Sequence, residues 1–218
     1  MNSFSSALPA FSVSRLVDNP HHYEPRMREP HRHQLHGFLP TERNEFVIIV
    51  LMGVAGSGKT TIGRILSDIL GWDFFDGDDF HPVANVEKMR AGIPLNDDDR
   101  DTWLAALRSL TSQKIQQSVS AIIACSALKE KYRQRLQAGD GDLIRFVYLK
   151  GEYTLIQKRL QSRENHFMNP HLLASQFETL EEPKDILTID IGEDPLVIVE
   201  SILQGLGLQG QSGSTGFL

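Results

Sequence analysis

The sequence is short of the features that mark secreted, zinc-stabilised and membrane proteins. Its 218 residues contain a single cysteine, Cys125, so an internal disulfide is impossible and a disulfide-stabilised secreted scaffold is excluded. The paired Cys and His spacings of structural zinc sites are absent as well. The longest apolar run covers residues 46–52, far below the roughly 18 residues that a transmembrane helix needs. We therefore expect no membrane partner and a cytoplasmic location.

Positive charge is also scarce. The formal net charge is −6, and because residues 1–45 hold equal numbers of acidic and basic side chains, the excess acid lies in the rest of the chain. An acidic body repels a phosphate backbone, so nucleic acid is not an expected partner. The length of the chain suffices for one α/β domain with a sizeable core.

Residues 1–45 differ in composition from the rest of the chain. They are rich in Ser, Pro and His and have little periodicity, so we interpret them as a disordered extension. The H-x-H-x-x-H spacing of residues 31–36 leaves open a metal-binding tail, and a targeting segment or a start at Met27 are further alternatives. The Gly- and Ser-rich residues 209–218 are predicted to form a flexible tail.

Between residues 46 and 208, strand and helix patterns alternate. Apolar, β-branched runs are separated by helical periodicity, which predicts an α/β domain with a five-stranded parallel sheet and helices on both faces. An acidic run, Asp97 to Asp99, is predicted to cap a helix that carries Trp103. The predicted strands are residues 46–52, 72–75, 121–127, 143–149 and 186–191. The other predicted helices are residues 62–70, 128–138, 152–161, 170–180 and 195–206.

The segment GVAGSGKT follows the first buried strand and precedes the first helix. It matches the G-x-x-x-x-G-K-[ST] pattern of the phosphate-binding loop, in which glycines let main-chain N–H groups surround phosphate oxygens at a helix N-terminus. Lys59 is predicted to reach the β- and γ-phosphates, and Thr60 is predicted to bind Mg²⁺. The predicted nucleoside-triphosphate ligands are Gly53, Val54, Ala55, Gly56, Ser57, Gly58, Lys59, Thr60 and Thr61.

Acidic side chains follow the second predicted strand, at the edge where open α/β sheets bind ligands. The third strand ends in Cys-Ser rather than in Asp, so we expect the further carboxylate of the metal site to come from the second strand. We assign Asp76 to the metal and Asp78 to the acceptor hydroxyl. A calcium loop is excluded because His81 stands where such a loop needs glycine.

Further motifs resemble those of the gluconate kinase family over about residues 46–206. They are DGDDFHP (76–82), NDDDR (96–100), CSALK (125–129) and SQFETLEEP (175–183). The resemblance implies the three-layer P-loop kinase fold of nucleoside-monophosphate and shikimate kinases, with the strand order 2-3-1-4-5. It further implies a helical substrate-binding region and a lid at about residues 162–170. It also implies ATP-dependent phosphorylation of D-gluconate to 6-phosphogluconate, Mg²⁺ as cofactor, and a homodimer as one option for the assembly.

Gluconate carries a carboxylate and many hydroxyls, so its pocket needs a cation and several polar side chains. Among the polar residues after strand ends and in the lid, we predict substrate contacts from His81, Lys129, Arg133 and His166. Arg133 is our preference for the carboxylate, because guanidinium binds carboxylates through two parallel hydrogen bonds.

Two arginines at the entrance to the lid lie four residues apart and so share a helix face. Arg159 is predicted to contact the nucleotide. Arg163 is predicted to be catalytic, neutralising transition-state charge when the lid excludes water.

Two alternatives stay open at this point. One is another small-acceptor kinase, although shikimate kinases would have three glycines after the third strand, where residues 126–129 are SALK. The other is a non-enzymatic ATP-binding module, either a sensor that hydrolyses ATP slowly without an acceptor or a metal handler that uses the histidine tail.

Overall fold

The structure is a computed structural model that describes residues 46–162 and 170–208. Within these residues, five strands form one parallel sheet in the order β2-β3-β1-β4-β5. The strands are β1 (Ile48–Met52), β2 (Asp73–Asp76), β3 (Ala121–Ala124), β4 (Ile144–Lys150) and β5 (Leu187–Asp190). The predicted fold class and strand order are confirmed.

Helices cover both faces of the sheet. They are α1 (Lys59–Leu70), α2 (Val83–Arg90), α3 (Asp97–Gln116), α4 (Glu130–Gln137), α5 (Tyr153–Gln161), α6 (Pro170–Thr179) and α7 (Pro195–Gly205). Gly71 ends α1 in the left-handed conformation, as predicted, and its N–H donates to Ser67 O. A 3₁₀ turn over Gly77–Phe80 and helix α2 were not predicted.

The central strand β1 divides the core into two halves. All its residues are buried, because β3 and β4 pair with it on either side. Alternate side chains point to opposite faces: Ile49 and Leu51 pack with α1, α5 and α7, whereas Ile48 and Val50 pack with α3 and α4. The carboxyl ends of the strands therefore open onto one edge, where the loops that bear polar residues meet.

Strand β3 is shorter than predicted. It ends at Ala124, whereas the apolar run continues to Ala127. Ala127 is fully buried, yet its φ is +41°, in the left-handed region that non-glycine residues rarely adopt. Residues 125–129 therefore form a loop at the strand end rather than a longer strand.

Helix α3 begins with a reciprocal cap. Asn96 Oδ1 accepts a hydrogen bond from Asp99 N at 2.8 Å, and Asp99 Oδ2 accepts one from Asn96 N at 3.0 Å. The predicted capping role of the acidic run is thus confirmed for Asp99, but the N-cap itself is Asn96.

No helix among the described residues is both long and apolar enough to cross a membrane. The predicted extension at residues 1–45, the predicted tail at residues 209–218 and the centre of the predicted lid at residues 163–169 lie outside the described residues. The predicted domain boundaries stay predictions.

Candidate active site

The loop between β1 and α1 is shaped by three glycines. Gly53, Gly56 and Gly58 have φ of 141°, 83° and 93°, values that favour glycine. A Cβ on Gly53 would lie 2.8 Å from Leu149 O, and one on Gly56 would lie 2.9 Å from Leu160 Cγ. The glycines of the motif are therefore backbone requirements of this loop.

The polar groups of the loop fit an anionic ligand. Ser57 Oγ is buried and has no hydrogen-bond partner within residues 46–162 and 170–208. Lys59 Nζ donates to Gly53 O and to Val54 O, each at 3.0 Å, so the ammonium group folds over the loop at the start of α1. An orphaned buried hydroxyl, an ammonium group and a helix N-terminus together favour phosphate.

Asp76 joins the phosphate loop to the next strand end. Its Oδ2 accepts a hydrogen bond from Thr60 Oγ1 at 2.7 Å, and its Oδ1 accepts one from Asp78 N at 3.2 Å. One carboxylate thus connects the hydroxyl predicted to bind Mg²⁺ with the main chain of the residue predicted to orient the acceptor. The structure brings Thr60, Asp76 and Asp78 together, as the sequence predicted.

The position of Asp78 is fixed further by its neighbour Gly77. A Cβ on Gly77 would lie 2.4 Å from Ala124 O, so only glycine allows this close approach of the turn to the end of β3. Trp103 Nε1–H donates to Gly77 O at 2.7 Å. The buried indole therefore anchors the 3₁₀ turn that presents the carboxylate of Asp78.

His81 stacks on the same indole. The ring centroids of His81 and Trp103 are 4.5 Å apart with an angle of 10° between the planes, and His81 Nδ1 lies 3.4 Å from Nδ2 of the buried Asn85. The carboxamide of Asn85 is itself held by donation to Asp99 O at 2.6 Å. Burial is the largest influence on the imidazole and lowers its pKa below the usual 6.5, which favours the neutral ring at neutral pH.

Cys125 directly follows β3 and is buried at the end of that strand. Its thiol is 1% exposed, and burial raises its pKa to about 12, against the smaller opposing influence of Lys59. The charges of Asp78 and Asp76 raise this pKa further. Burial thus marks Cys125 as an inert core thiol.

A cavity of about 290 Å³ opens beside the phosphate loop. Arg159 reaches it from α5 and donates through Nη2 to Ile191 O at 2.7 Å, which holds the guanidinium at the wall. The lining includes Gly56, Ser57, Thr61, Arg159, Glu193 and Ile198. Arg159 therefore lies next to the loop, where the sequence predicted a nucleotide contact.

Two other predicted substrate ligands have protein partners. Lys129 Nζ lies 2.9 and 3.1 Å from the two carboxylate oxygens of Asp97. Arg133 is 6% exposed, and its Nη1 donates to Ala127 O and Leu128 O at 3.0 and 3.1 Å. This geometry gives Arg133 a structural task, holding the loop after β3, while its contact with substrate stays a prediction.

Comparison with known proteins identifies the relatives of this site. The family model described as shikimate kinase matches residues 55–187. The thermoresistant gluconokinase of Escherichia coli (strain K12) is 41% identical over 170 residues, which cover 76% of this chain and 97% of that protein. The gluconokinase of Arabidopsis thaliana is 40% identical over 171 residues, with 72% and 90% covered. The chain belongs to the gluconokinase family.

A solved structure agrees with this family membership. The crystal structure of a gluconokinase from Sinorhizobium meliloti 1021 is 38% identical, has a TM-score of 0.69 and covers 76% of this chain and 94% of its own. The crystal structure of a sugar kinase from Janibacter sp. HTCC2649 is 40% identical, with a TM-score of 0.70 and coverage of 75% and 95%. The resemblance stated from the motifs is confirmed.

Two predicted residues of this gluconokinase family member cannot be placed in the site. Arg163 and His166, with most of the predicted lid, lie outside the described residues. Their assignment to catalysis and substrate binding stays a prediction.

Sequence reasoning missed several groups that the structure brings to the site. Trp103 was placed only on its predicted helix, and Asn85 was given no role. The indole N–H of Trp103 reaches Gly77 O from another element, and Asn85 contacts His81 from the helix that was not predicted. Gln176 was also missed, although its Oε1 accepts from the loop amide of Ala55 at 2.7 Å. The hydrogen bonds of Trp103 and Gln176 span 26 and 121 positions of sequence and leave no local signal.

Proposed function

We propose that the chain transfers the γ-phosphoryl group of ATP to the terminal hydroxyl of D-gluconate, giving ADP and 6-phosphogluconate. The observation that carries the proposal is Asp76, which links Thr60 of the phosphate loop to the main chain of Asp78. Nucleotide and acceptor groups therefore share one edge of the sheet. The choice of gluconate is supported by relatives named gluconokinases at about 40% identity.

The nucleotide side consists of the phosphate loop and the adjoining cavity. We assign the phosphates to main-chain N–H groups of the loop and of the start of α1, together with the ammonium of Lys59, because a helix N-terminus and a cation offset phosphate charge. The N–H groups of Gly53 and Ala55 donate instead to Ser126 O and to Gln176 Oε1. The guanidinium of Arg159, held by Ile191 O, lines the cavity that receives the rest of the nucleotide.

The residues present also fit a magnesium ion. Mg²⁺ is usually held by one or two protein oxygens, with waters and substrate phosphates completing its octahedron. Thr60 Oγ1 and Asp76 Oδ2, 2.7 Å apart, offer one hydroxyl and one carboxylate oxygen at the end of the loop. We assign Thr60 as the direct protein ligand and Asp76 as the acceptor for a metal-bound water. When bound, the ion neutralises phosphate charge.

On the acceptor side, Asp78 orients the terminal hydroxyl and receives its proton. The acceptor oxygen forms a bond to the γ-phosphorus as the bond from that phosphorus to the β–γ bridging oxygen breaks, and ADP leaves with the electron pair. The side chain of Asp78 is exposed, so a polyol reaches it from solvent. Positioning and electrostatics, rather than covalent catalysis, supply the rate.

His81 and Lys129 supply contacts for the substrate. Because Asn85 Nδ2 is the donor to His81 Nδ1, the neutral ring keeps its proton on Nε2 and offers a donor to a hydroxyl or carboxylate. Lys129, which pairs with Asp97, is an acceptor-side cation in this proposal. Arg133 stays our predicted partner for the carboxylate of gluconate. We also propose a cytoplasmic location, and a homodimer stays one option that the family resemblance implies.

ADP release from ATP·Mg, measured with and without D-gluconate, tests the proposal. We expect release to depend on D-gluconate and to produce 6-phosphogluconate in equal amount. Shikimate, other sugar acids and nucleoside monophosphates serve as the matched acceptor panel. A rate that rises with shikimate and not with gluconate would overturn the choice of acceptor, and slow hydrolysis unaffected by every acceptor would favour the ATP-dependent sensor.

A further inference from the structure

The tip of the phosphate loop is held by a side chain from a distant helix. Gln176, in α6, accepts a hydrogen bond from Ala55 N through Oε1 at 2.7 Å, across 121 positions of sequence. Ala55 lies between the buried Val54 and the left-handed Gly56. The bond therefore acts at the point of the loop where the backbone reverses direction.

Helix α6 is a fixed platform for this contact. Leu173 is 2% exposed and belongs to the same core cluster as the α1 and α7 side chains. The ring of Phe177 packs edge-on against Tyr153 with centroids 5.2 Å apart. Because these two residues flank Gln176 in sequence and hold its helix to the core, the carboxamide approaches the loop from a defined position.

The chain that follows α6 reaches the other half of the site. Glu181 N donates to Leu128 O at 2.9 Å, and the carboxylate of Glu181 accepts from Glu130 N at 2.7 Å. Leu128 and Glu130 flank Lys129, which we assign to the substrate. Residues 176–181 thus connect the phosphate loop with the loop after β3, which carries an acceptor-side cation.

Movement of the loop tip affects Lys59. Val54 O accepts from Lys59 Nζ at 3.0 Å and from Ser57 N at 3.2 Å, and Val54 directly precedes Ala55. A loop tip released from Gln176 therefore shifts the carbonyl that positions the ammonium group. Displacement of a charge-stabilising group lowers the rate of transfer more than it lowers ground-state binding.

We infer that Gln176 is a positioning residue for phosphoryl transfer. It holds the tip of the phosphate loop at a fixed position relative to the acceptor side of the site. The inference rests on the proposed function. It assigns Gln176 no contact with either substrate, and it predicts an effect on kcat that exceeds the effect on the KM for ATP.

The test compares Gln176→Met, which keeps the length of the side chain and removes the acceptor oxygen, with Gln176→Glu, which keeps an acceptor oxygen. Glu178→Gln, at an exposed position of the same helix, is the matched control. We expect Gln176→Met to lower kcat about tenfold and to change the KM for ATP by less than about threefold. The amide of Ala55 should exchange its hydrogen faster in this variant, as measured by NMR.

Rescue separates positioning from a merely structural role. Gln176→Glu should restore slow exchange at Ala55 and recover part of kcat, and Glu178→Gln should match the parent chain. A Gln176→Met protein that keeps kcat within about twofold of the parent, or one whose loss of activity follows a lowered Tm while Ala55 exchange is unchanged, would overturn the inference.

The two proposals fail in different ways. If the parent chain released no ADP in response to gluconate, the proposed function would fall, while the exchange rate of the Ala55 amide in Gln176→Met would still decide whether Gln176 holds the loop. If the parent were active and that exchange rate did not change, the inference would fall and the proposed function would stand.

Discussion

The nucleotide side and the acceptor side of this site are built in different ways. The nucleotide side is one continuous segment, residues 53–61, whose shape depends on left-handed glycines and a following helix. The acceptor side takes Asp78 and His81 from the segment after β2 and Lys129 from the loop after β3. Trp103, from α3, orients the first two. Phosphate recognition is thus encoded in local backbone geometry, whereas acceptor recognition depends on packing between elements far apart in sequence.

The largest expected effect is the loss of turnover when a residue of the acceptor side alone is changed. Asp78→Asn removes the proton acceptor and keeps the size of the side chain, so we expect kcat to fall about 10³-fold while ATP affinity stays nearly the same. Turnover and ATP binding by calorimetry are the measurements. Equal loss of both would show that Asp78 serves the metal or the fold, and that the two sides are not separable at this residue.

Lys59→Met breaks the nucleotide side. Loss of the ammonium group removes a charge aimed at the transferring phosphoryl group, so we expect kcat to fall by about 10²-fold or more. The KM for ATP should rise while the KM for gluconate changes little, as steady-state kinetics with both substrates would measure. A selective rise in the KM for gluconate would contradict the division of the site.

Trp103→Phe tests the packing that supports the acceptor side. The change removes the donor to Gly77 O and part of the stack with His81, and we expect a loss of about 1–3 kcal/mol in unfolding free energy. The KM for gluconate should rise, and the KM for ATP should stay the same as in the parent chain. Trp72→Phe, at the other tryptophan, is the control. Similar kinetic effects from both variants would argue against a specific role for Trp103.

The smallest expected effect is the pH dependence of stability at His81. Burial lowers the pKa of its imidazole, with Asp78 opposing this shift and Arg100 adding to it. The folded chain therefore binds this proton less readily than the unfolded chain, so the stability contributed by neutral His81 is complete above the usual pKa of 6.5 and declines as the pH falls through 6.5 toward the folded pKa.

Thermal unfolding between about pH 7.5 and about pH 5.5 measures this contribution. The Tm of the parent chain should fall more steeply on acidification than that of His81→Gln. Parallel curves for the two proteins would show that His81 titrates alike in both states.

The same contrast explains what the sequence could predict. The phosphate loop follows from its motif, and the buried central strand and the parallel sheet follow from apolar runs and connection rules. The strand order follows from the resemblance to a kinase family, and the structure confirms it. Helix α2 was not predicted because its only buried side chain is the polar Asn85, so the sequence has no apolar stripe at this helix.

Arg133 shows the limit of residue type as a guide. A cation after a strand end suggested a substrate ligand, yet the left-handed turn at Ala127 points two carbonyl groups at this guanidinium. Such a turn is unusual for alanine, so the sequence contained no sign of it. Gln176 was missed for a related reason, since its partner is a main-chain N–H that any residue at position 55 except proline would supply.

The state of Cys125 has a practical consequence for labelling. Since the chain has one cysteine, and since its thiol is 1% exposed with a pKa of about 12, maleimides and other sulfhydryl reagents find almost no thiolate to attack at neutral pH. A cysteine introduced on the surface would carry a fluorophore or spin label without background. The predicted closure of the lid can therefore be tested in an otherwise unaltered chain.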